Sequence, residues 1–246
     1  MTTAVAPPFT AAGSIDLELR STGFALLAPQ ALAQLAGFTP AVLATWQAAW
    51  ARLPPDAHLR DGGRYRRRRH GCFVLAGDRV DAVAHRAHWQ PVEYNALHGG
   101  FERWFEPLEP ALAESPEWLA LLRALARHAD ALRGEQPWFV EAHAFRIDTT
   151  NGIGRPTPEG AHRDGVDLVA VILLARLGVK GGETRVFDAA GPQGQRFTLT
   201  EPLSCLLLDD AKVIHETTPI QPLDARSPGW RDTLVLTYRA GGFQGP

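Results

Sequence analysis

The chain has 246 residues, of which 45% are apolar and 21% charged, with a formal charge of −2. This is ordinary globular usage, long enough to bury a sizeable core, and it excludes the disordered, collagen-like and fibrous classes. The near-neutral balance offers no bulk attraction to nucleic acid or to an anionic membrane, so neither is expected as a partner.

Cys72 and Cys205 are the only cysteines, too few for a disulfide framework or a cysteine-ligated zinc site, which points to a reducing compartment. Residues 1–10 carry no basic stretch ahead of an apolar run, and no apolar run is long enough to cross a bilayer. A cytoplasmic protein forming one domain over 1–246 is expected. Its oligomeric state is left open by the sequence.

In chain order, residues 1–14 read as a loose Ala/Pro/Thr tail and 15–137 as a helix-rich flank. Within that flank, Gly23–Leu27 reads as a short strand. Thr39 as N-cap with Pro40 at the first helical position opens a helix carrying Val42, Leu43, Trp46, Ala49, Trp50 and Leu53 at three- and four-residue intervals, which Pro54-Pro55 stops. A second helix runs from Ser115-Pro116-Glu117 through Trp118, Leu121, Leu122, Leu125 and Leu132 to Gly134. Gly71–Leu75 reads as a strand. From 138 to 239 the texture changes to short Val/Ile/Leu/Thr/Phe segments between turn residues. Strands are expected at 139–147, 166–174, 184–187, 196–199, 204–208, 213–216 and 234–239, a jelly-roll pattern. The segment 148–160 is Gly- and Pro-rich, a long loop of the kind that forms lids.

His162 and Asp164 are two apart, and on a strand they leave from one face. His215, inside Val213-Ile214-His215, is the third candidate ligand among nine histidines. Two imidazoles and one carboxylate form the facial set of non-haem Fe(II) oxygenases, which leaves positions open for cosubstrate and oxygen. The same residues also read as satisfied strand and turn positions. Arg231 and Thr233 share a strand face and suit a carboxylate held bidentately; a surface ion pair for Arg231 is the alternative. Arg226, between Pro222 and Pro228, is a rival in a loop. His143 shares a strand face with Phe145 and reads either as a core histidine or as a neighbour of the cosubstrate. Glu183 reads as structural, and His85, His88, His98 and His128 read as surface or helix residues.

The combined pattern His162-Arg163-Asp164-Gly165, Gly181-Gly182-Glu183-Thr184, His215 and Arg231-x-Thr233 resembles the Fe(II)/2-oxoglutarate-dependent dioxygenases. It is most similar to the bacterial subgroup of L-isoleucine 4-hydroxylase, related free amino-acid hydroxylases and biofilm-associated relatives. The resemblance covers about 138–239. It implies a mainly β fold with flanking helices, the double-stranded β-helix (jelly roll, cupin-like). It implies His162, Asp164 and His215 on Fe(II), with Arg231 and Thr233 on the distal carboxylate of 2-oxoglutarate. The implied reaction uses O2, with ascorbate as reductant, hydroxylates a small molecule such as a free L-amino acid, and releases succinate and CO2. Hydroxylation or demethylation of a macromolecule, and cupin-like metal binding without turnover, are the alternatives.

From Arg60 to His70 six arginines oppose one aspartate. The run reads as a solvated loop, a nucleic-acid patch or an anion-binding wall. Continuing into the strand at 71–75, it would turn alternate arginines inward, so Arg66 and Arg68 become candidates for a substrate carboxylate. Glu159, three residues before His162, is the candidate acceptor for an ammonium, with an exposed loop carboxylate as the alternative.

Overall fold

Side-chain parity organises the fold. The structure, a computed structural model, describes residues 5–246. Helices are α1 (Ile15–Thr22), α2 (Pro29–Ala36), α3 (Val42–Trp50), α4 (Pro110–Ala113) and α5 (Pro116–Arg133). Strands are β1 (Phe24–Leu27), β2 (Arg66–Ala76), β3 (Arg79–Ala82), β4 (Trp138–Asp148), β5 (Leu168–Leu177), β6 (Val179–Gly181), β7 (Thr184–Asp188), β8 (Gly194–Phe197), β9 (Cys205–Asp209), β10 (Val213–Thr217), β11 (Ile220–Pro222) and β12 (Trp230–Ala240). A seven-stranded antiparallel sheet in the order β1-β9-β5-β12-β4-β2-β3 faces a three-stranded sheet, β10-β7-β8, with β11-β6 as a short ribbon. This is the expected double-stranded β-helix with helices outside the large sheet.

In β12, Leu234, Leu236 and Tyr238 enter the helix-side core with Ala142 and Ala144 of β4. The alternate residues Arg231, Thr233, Val235 and Thr237 face a cavity between the sheets, as period-two alternation requires. A second apolar cluster, including Leu26, Val169, Phe197 and Leu206, closes the space between the sheets beyond that cavity.

Helix α5 starts as expected. Ser115 Oγ accepts from Trp118 N at 3.3 Å and Pro116 occupies the first turn, while Trp118, Leu121, Leu122 and Leu125 bury one face. Tyr238 Oη donates to Leu122 O at 3.0 Å and ties α5 to β12. Helix α3 differs from expectation at its start: the Thr39 carbonyl, not its hydroxyl, accepts from Val42 N, and Ala41 is the N-cap residue. Its Trp50 Nε1 donates to Phe145 O at 3.1 Å and to Thr233 O at 3.2 Å. The indole thus clamps β4 to β12 directly behind the cavity.

Three expectations need correction. Of the tail expected over 1–14, residues 1–4 lie outside the described residues. The remainder is tied down: Thr10 N donates to Leu26 O at 2.7 Å, Val5 O accepts from Thr198 N at 2.9 Å, and 12–14 form a 3-10 turn. The flank at 15–137 carries more strand than the two short ones expected at 23–27 and 71–75: β2 already begins at Arg66, and β3 is added at the edge of the large sheet. His162 and Asp164 are not on a strand. They lie in the loop before β5, where His162 forms an isolated bridge with His215; Gly160 and Gly165 in that loop have positive φ, which breaks extended pairing.

Candidate active site

Loop 160–166, β10 and β12 meet at one end of a cavity of about 120 Å³. His162 Nε2 is 3.8 Å from Asp164 Oδ1, and His215 Nε2 is 3.8 Å from Asp164 Oδ2. The imidazole centroids are 4.5 Å apart. All three ligand atoms fall within 4.8 Å of one another, a two-histidine, one-carboxylate set able to hold a divalent metal.

The loop is aimed by buried polar contacts. Gly160 O accepts from His162 Nδ1 at 3.0 Å, which turns the lone pair of Nε2 toward Asp164. Asp210 accepts from the backbone N–H of Asp164 (3.0 Å), Gly165 (2.7 Å) and Val166 (3.2 Å). Gly165 is needed here: its φ is +75°, and a Cβ would lie 2.4 Å from the Tyr94 ring. Gln90 Nε2 donates to Asp164 Oδ1 at 3.3 Å.

Burial and then the neighbouring His162 push His215 down to about 3, so its imidazole is neutral and free to donate a lone pair. Burial also lowers His162, but Asp164, Glu159 and the Gly160 carbonyl together outweigh it and leave the group above its ordinary value. Asp210 is raised by its burial and by the charge of Asp164.

Arg231 is 3% exposed, and its Nε and Nη2 have no partner among the described residues. Burial first, and then Arg176 beside it, bring it down to about 10. Leaving guanidinium N–H groups unpaired is costly, so an anionic ligand fits this position. Arg231 and Thr233 both line the cavity, as their shared face requires. Arg226 does not: its side chain is 89% exposed and pairs with Asp224. Glu183 is structural, bound to Arg185 in the small sheet.

The opposite wall comes from β2 and β4. In register, Arg66 faces Ile147, Arg68 faces Phe145 and His70 faces His143. From Arg66 onward the arginine run is therefore strand and not a solvated loop, while Arg60 and Arg64 stay in irregular chain before it. Arg66 and Arg68 are 6% and 4% exposed, whereas Arg67 points to solvent. Arg66 Nε donates to Asp56 at 2.7 Å. Arg68 lies between two rings, 3.9 Å from the Phe105 centroid and 4.6 Å from that of Phe145.

Glu159 is half-buried, its side chain 11% exposed, and lines the same cavity, with Oε1 3.6 Å from His162 Nδ1 and Oε2 unpartnered among the described residues. It is not an exposed loop carboxylate. The loop that carries it is pinned to β10 by reciprocal bonds between Thr157 and Thr217.

Sequence reading missed several residues here. His88 and His98 are buried, not surface residues, and His88 Nδ1 donates to Glu141 Oε2 at 2.9 Å. His143 is bonded to Arg68, not to backbone. Arg103, 2% exposed, donates to Gln90. The alternation of Glu141, His143 and Phe145 along one strand was the available signal for β4. His88, Gln90 and Arg103 lie in irregular chain with no periodicity to expose them.

A model of the 2OG-Fe dioxygenase family matches residues 47–237. Among solved structures, a bsmA homolog from Methylobium petroleophilum PM1 is 54% identical over the whole of both chains, with a TM-score of 0.92. IDO from Bacillus thuringiensis is 18% identical over 98% of this chain and 100% of its own, with a TM-score of 0.76. The Fe(II)/(alpha)ketoglutarate-dependent dioxygenase TqaL is 20% identical over 95% and 90%, with a TM-score of 0.72. The latter two are likenesses of fold. Comparison with curated protein sequences finds no match.

Proposed function

The chain belongs to the 2OG-Fe dioxygenase family, and on that premise we propose that it hydroxylates a free L-amino acid, with His162, Asp164 and His215 holding Fe(II) and Arg231 with Thr233 holding the distal carboxylate of 2-oxoglutarate. It is a 2-oxoglutarate-dependent dioxygenase. Fe(II), 2-oxoglutarate and O2 when bound supply the oxidation, with succinate and CO2 as co-products. The donor set suits Fe(II), and the unpaired Arg231 suits a carboxylate.

The protein's own part is binding, orientation and exclusion of water. Val171 and Val235 give the cavity an apolar side, and the pinned 148–160 loop covers it.

One observation carries the substrate class. The same cavity holds the His/Asp/His set at one end, buried Arg66 and Arg68 at the other, and the half-bonded carboxylate Glu159 beside His162. A carboxylate and an ammonium both lose water in a closed site and need opposite charges there. Arg66 and Arg68 supply the cation and Glu159 the acceptor. L-Isoleucine is the first candidate, from the subgroup that the motif pattern resembles.

The test is to incubate the Fe(II)-loaded protein with 2-oxoglutarate and ascorbate and each of the twenty amino acids, measuring succinate and a mass gain of one oxygen. Stoichiometric succinate with one hydroxylated amino acid is expected. Succinate release stimulated by none of them would overturn the amino-acid reading, and no succinate at all would favour metal binding without turnover.

A further inference from the structure

His70, His88, Glu141 and His143 cluster at the distal wall, all buried. Their hydrogen bonds set the proton positions on two of the rings. A guanidinium can only donate, so Arg68 Nη2, 2.8 Å from His143 Nδ1, requires the lone pair there and puts the proton of a neutral ring on Nε2. A carboxylate can only accept, so His88 Nδ1 carries its proton toward Glu141 Oε2 and its Nε2 keeps the lone pair. Burial, with Arg68 nearby, holds both rings neutral: His88 is pushed down to about 3, and His143 lies well below its ordinary value.

Both rings line the cavity, with centroids 4.6 Å apart and near-perpendicular planes. Neither Nε2 has a partner among the described residues, and neither is sealed in as His98 Nδ1 and His215 Nδ1 are. The wall therefore presents one imidazole donor and one imidazole acceptor side by side.

We infer that His143 and His88 form a head-group subsite for a zwitterionic α-amino acid, His143 Nε2–H donating to the carboxylate beside Arg68 and His88 Nε2 accepting from the ammonium. The inference rests on the amino-acid reading above, with His88 in place of Glu159 as the ammonium's acceptor. Glu141 is a positioning residue, because it fixes the tautomer of His88. A simple carboxylate or a simple amine satisfies one ring only; a zwitterion satisfies both. The same four side chains also read as a second metal site, but Arg68 on His143 Nδ1 sets a guanidinium where a cation would have to approach.

The zinc-substituted, 2-oxoglutarate-loaded protein allows the test by long-range proton–nitrogen NMR of its histidine rings. Glycine, the bare head group, is titrated against acetate and methylamine. His143 should show the Nε2–H form and His88 the Nδ1–H form. Glycine should shift both Nε2 resonances and bind about tenfold more tightly than either half, as a second hydrogen bond to a charged group gives. His143→Gln, whose amide N–H replaces Nε2–H, should stay within about threefold of wild type, while His143→Leu should weaken glycine about tenfold. The opposite tautomers, or glycine leaving both rings unmoved, would overturn the subsite. So would a second bound zinc that shifts these rings. Glycine binding without any hydroxylated amino acid in the screen would instead count against the substrate reading and leave the subsite standing.

Discussion

The two ends of the cavity are built in opposite ways. At the metal end several groups lack partners among the described residues: Arg231 has two unpaired nitrogens and His215 Nδ1 has none, while His162, Asp164 and His215 bring their ligand atoms within 4.8 Å of one another. At the distal wall each charged group has at least one partner within the protein, Arg66 on Asp56, Arg68 on the neutral His143, and Glu141 on His88 and His70, while Arg66 Nη2, Arg68 Nε and Arg103 Nε stay open. The protonation tendencies divide within the metal end, where His162 is raised, whereas His215 there and His88 at the wall are both lowered to about 3. The metal end is shaped for ligands that bring charge of their own. The wall, with Arg66, Arg68 and Arg103 against Asp56 and Glu141, keeps a guanidinium for a carboxylate and suits a zwitterion, which adds no net charge.

Removing groups at the under-satisfied end should have the largest effects. His162→Ala, Asp164→Ala and His215→Ala should each lower succinate production more than about a hundredfold, since losing even an outer partner of a ligand costs up to that much. Wild-type-like succinate in any one of them would sink the ligand assignment. Next, Arg231→Leu should raise the 2-oxoglutarate requirement at least about thirtyfold, from the roughly 2–5 kcal/mol lost when a buried carboxylate loses its bidentate cation. Arg226→Leu, exposed on Asp224, should change it less than about twofold. The reverse ranking in a 2-oxoglutarate titration would move the anchor to the loop.

The wall makes a pH prediction. A histidine whose folded pKa is about 3, against about 6.5 unfolded, contributes stability that is complete above 6.5 and is lost as pH falls toward 3. At pH 5 this is about 2 kcal/mol for His88. Melting curves from pH 7 to 5 should therefore fall, and fall less in His88→Gln. Equal slopes would mean that His88 is protonated or exposed in the folded protein.

The smallest effect should come from the face of β12 that touches neither end. Tyr238→Phe removes the bond to Leu122 O and should cost about 1 kcal/mol, a melting shift of about 2–4 °C, with turnover retained. A loss of activity larger than the loss of stability would show that the helix-side packing reaches the site.

The difference between the two ends also explains what could be read without the fold. His-x-Asp, the distant His215 and Arg231-x-Thr233 are short motifs whose members lie in order along 162–233, and the structure brings all of them to one end of one cavity. Patterning located seven of the nine strands of the second half to within about four residues, missing the short β6 and β11, and it also turned Arg66 and Arg68 inward. It could not show that β2 joins the large sheet beside β4 or that the ligand loop is irregular, because strand order and chain reversal at Gly160 and Gly165 are tertiary facts.

By itself the sequence determined the fold class, the in-order ligand motif and the parity of the arginine run, since each depends on spacing along one stretch of chain. Only the tertiary structure decided the distal wall. Asp56, His88, Glu141 and Arg103 come from segments with no shared period, and their burial and proton positions arise only when the β2–β4 register and the 88–103 crossing bring donors opposite acceptors.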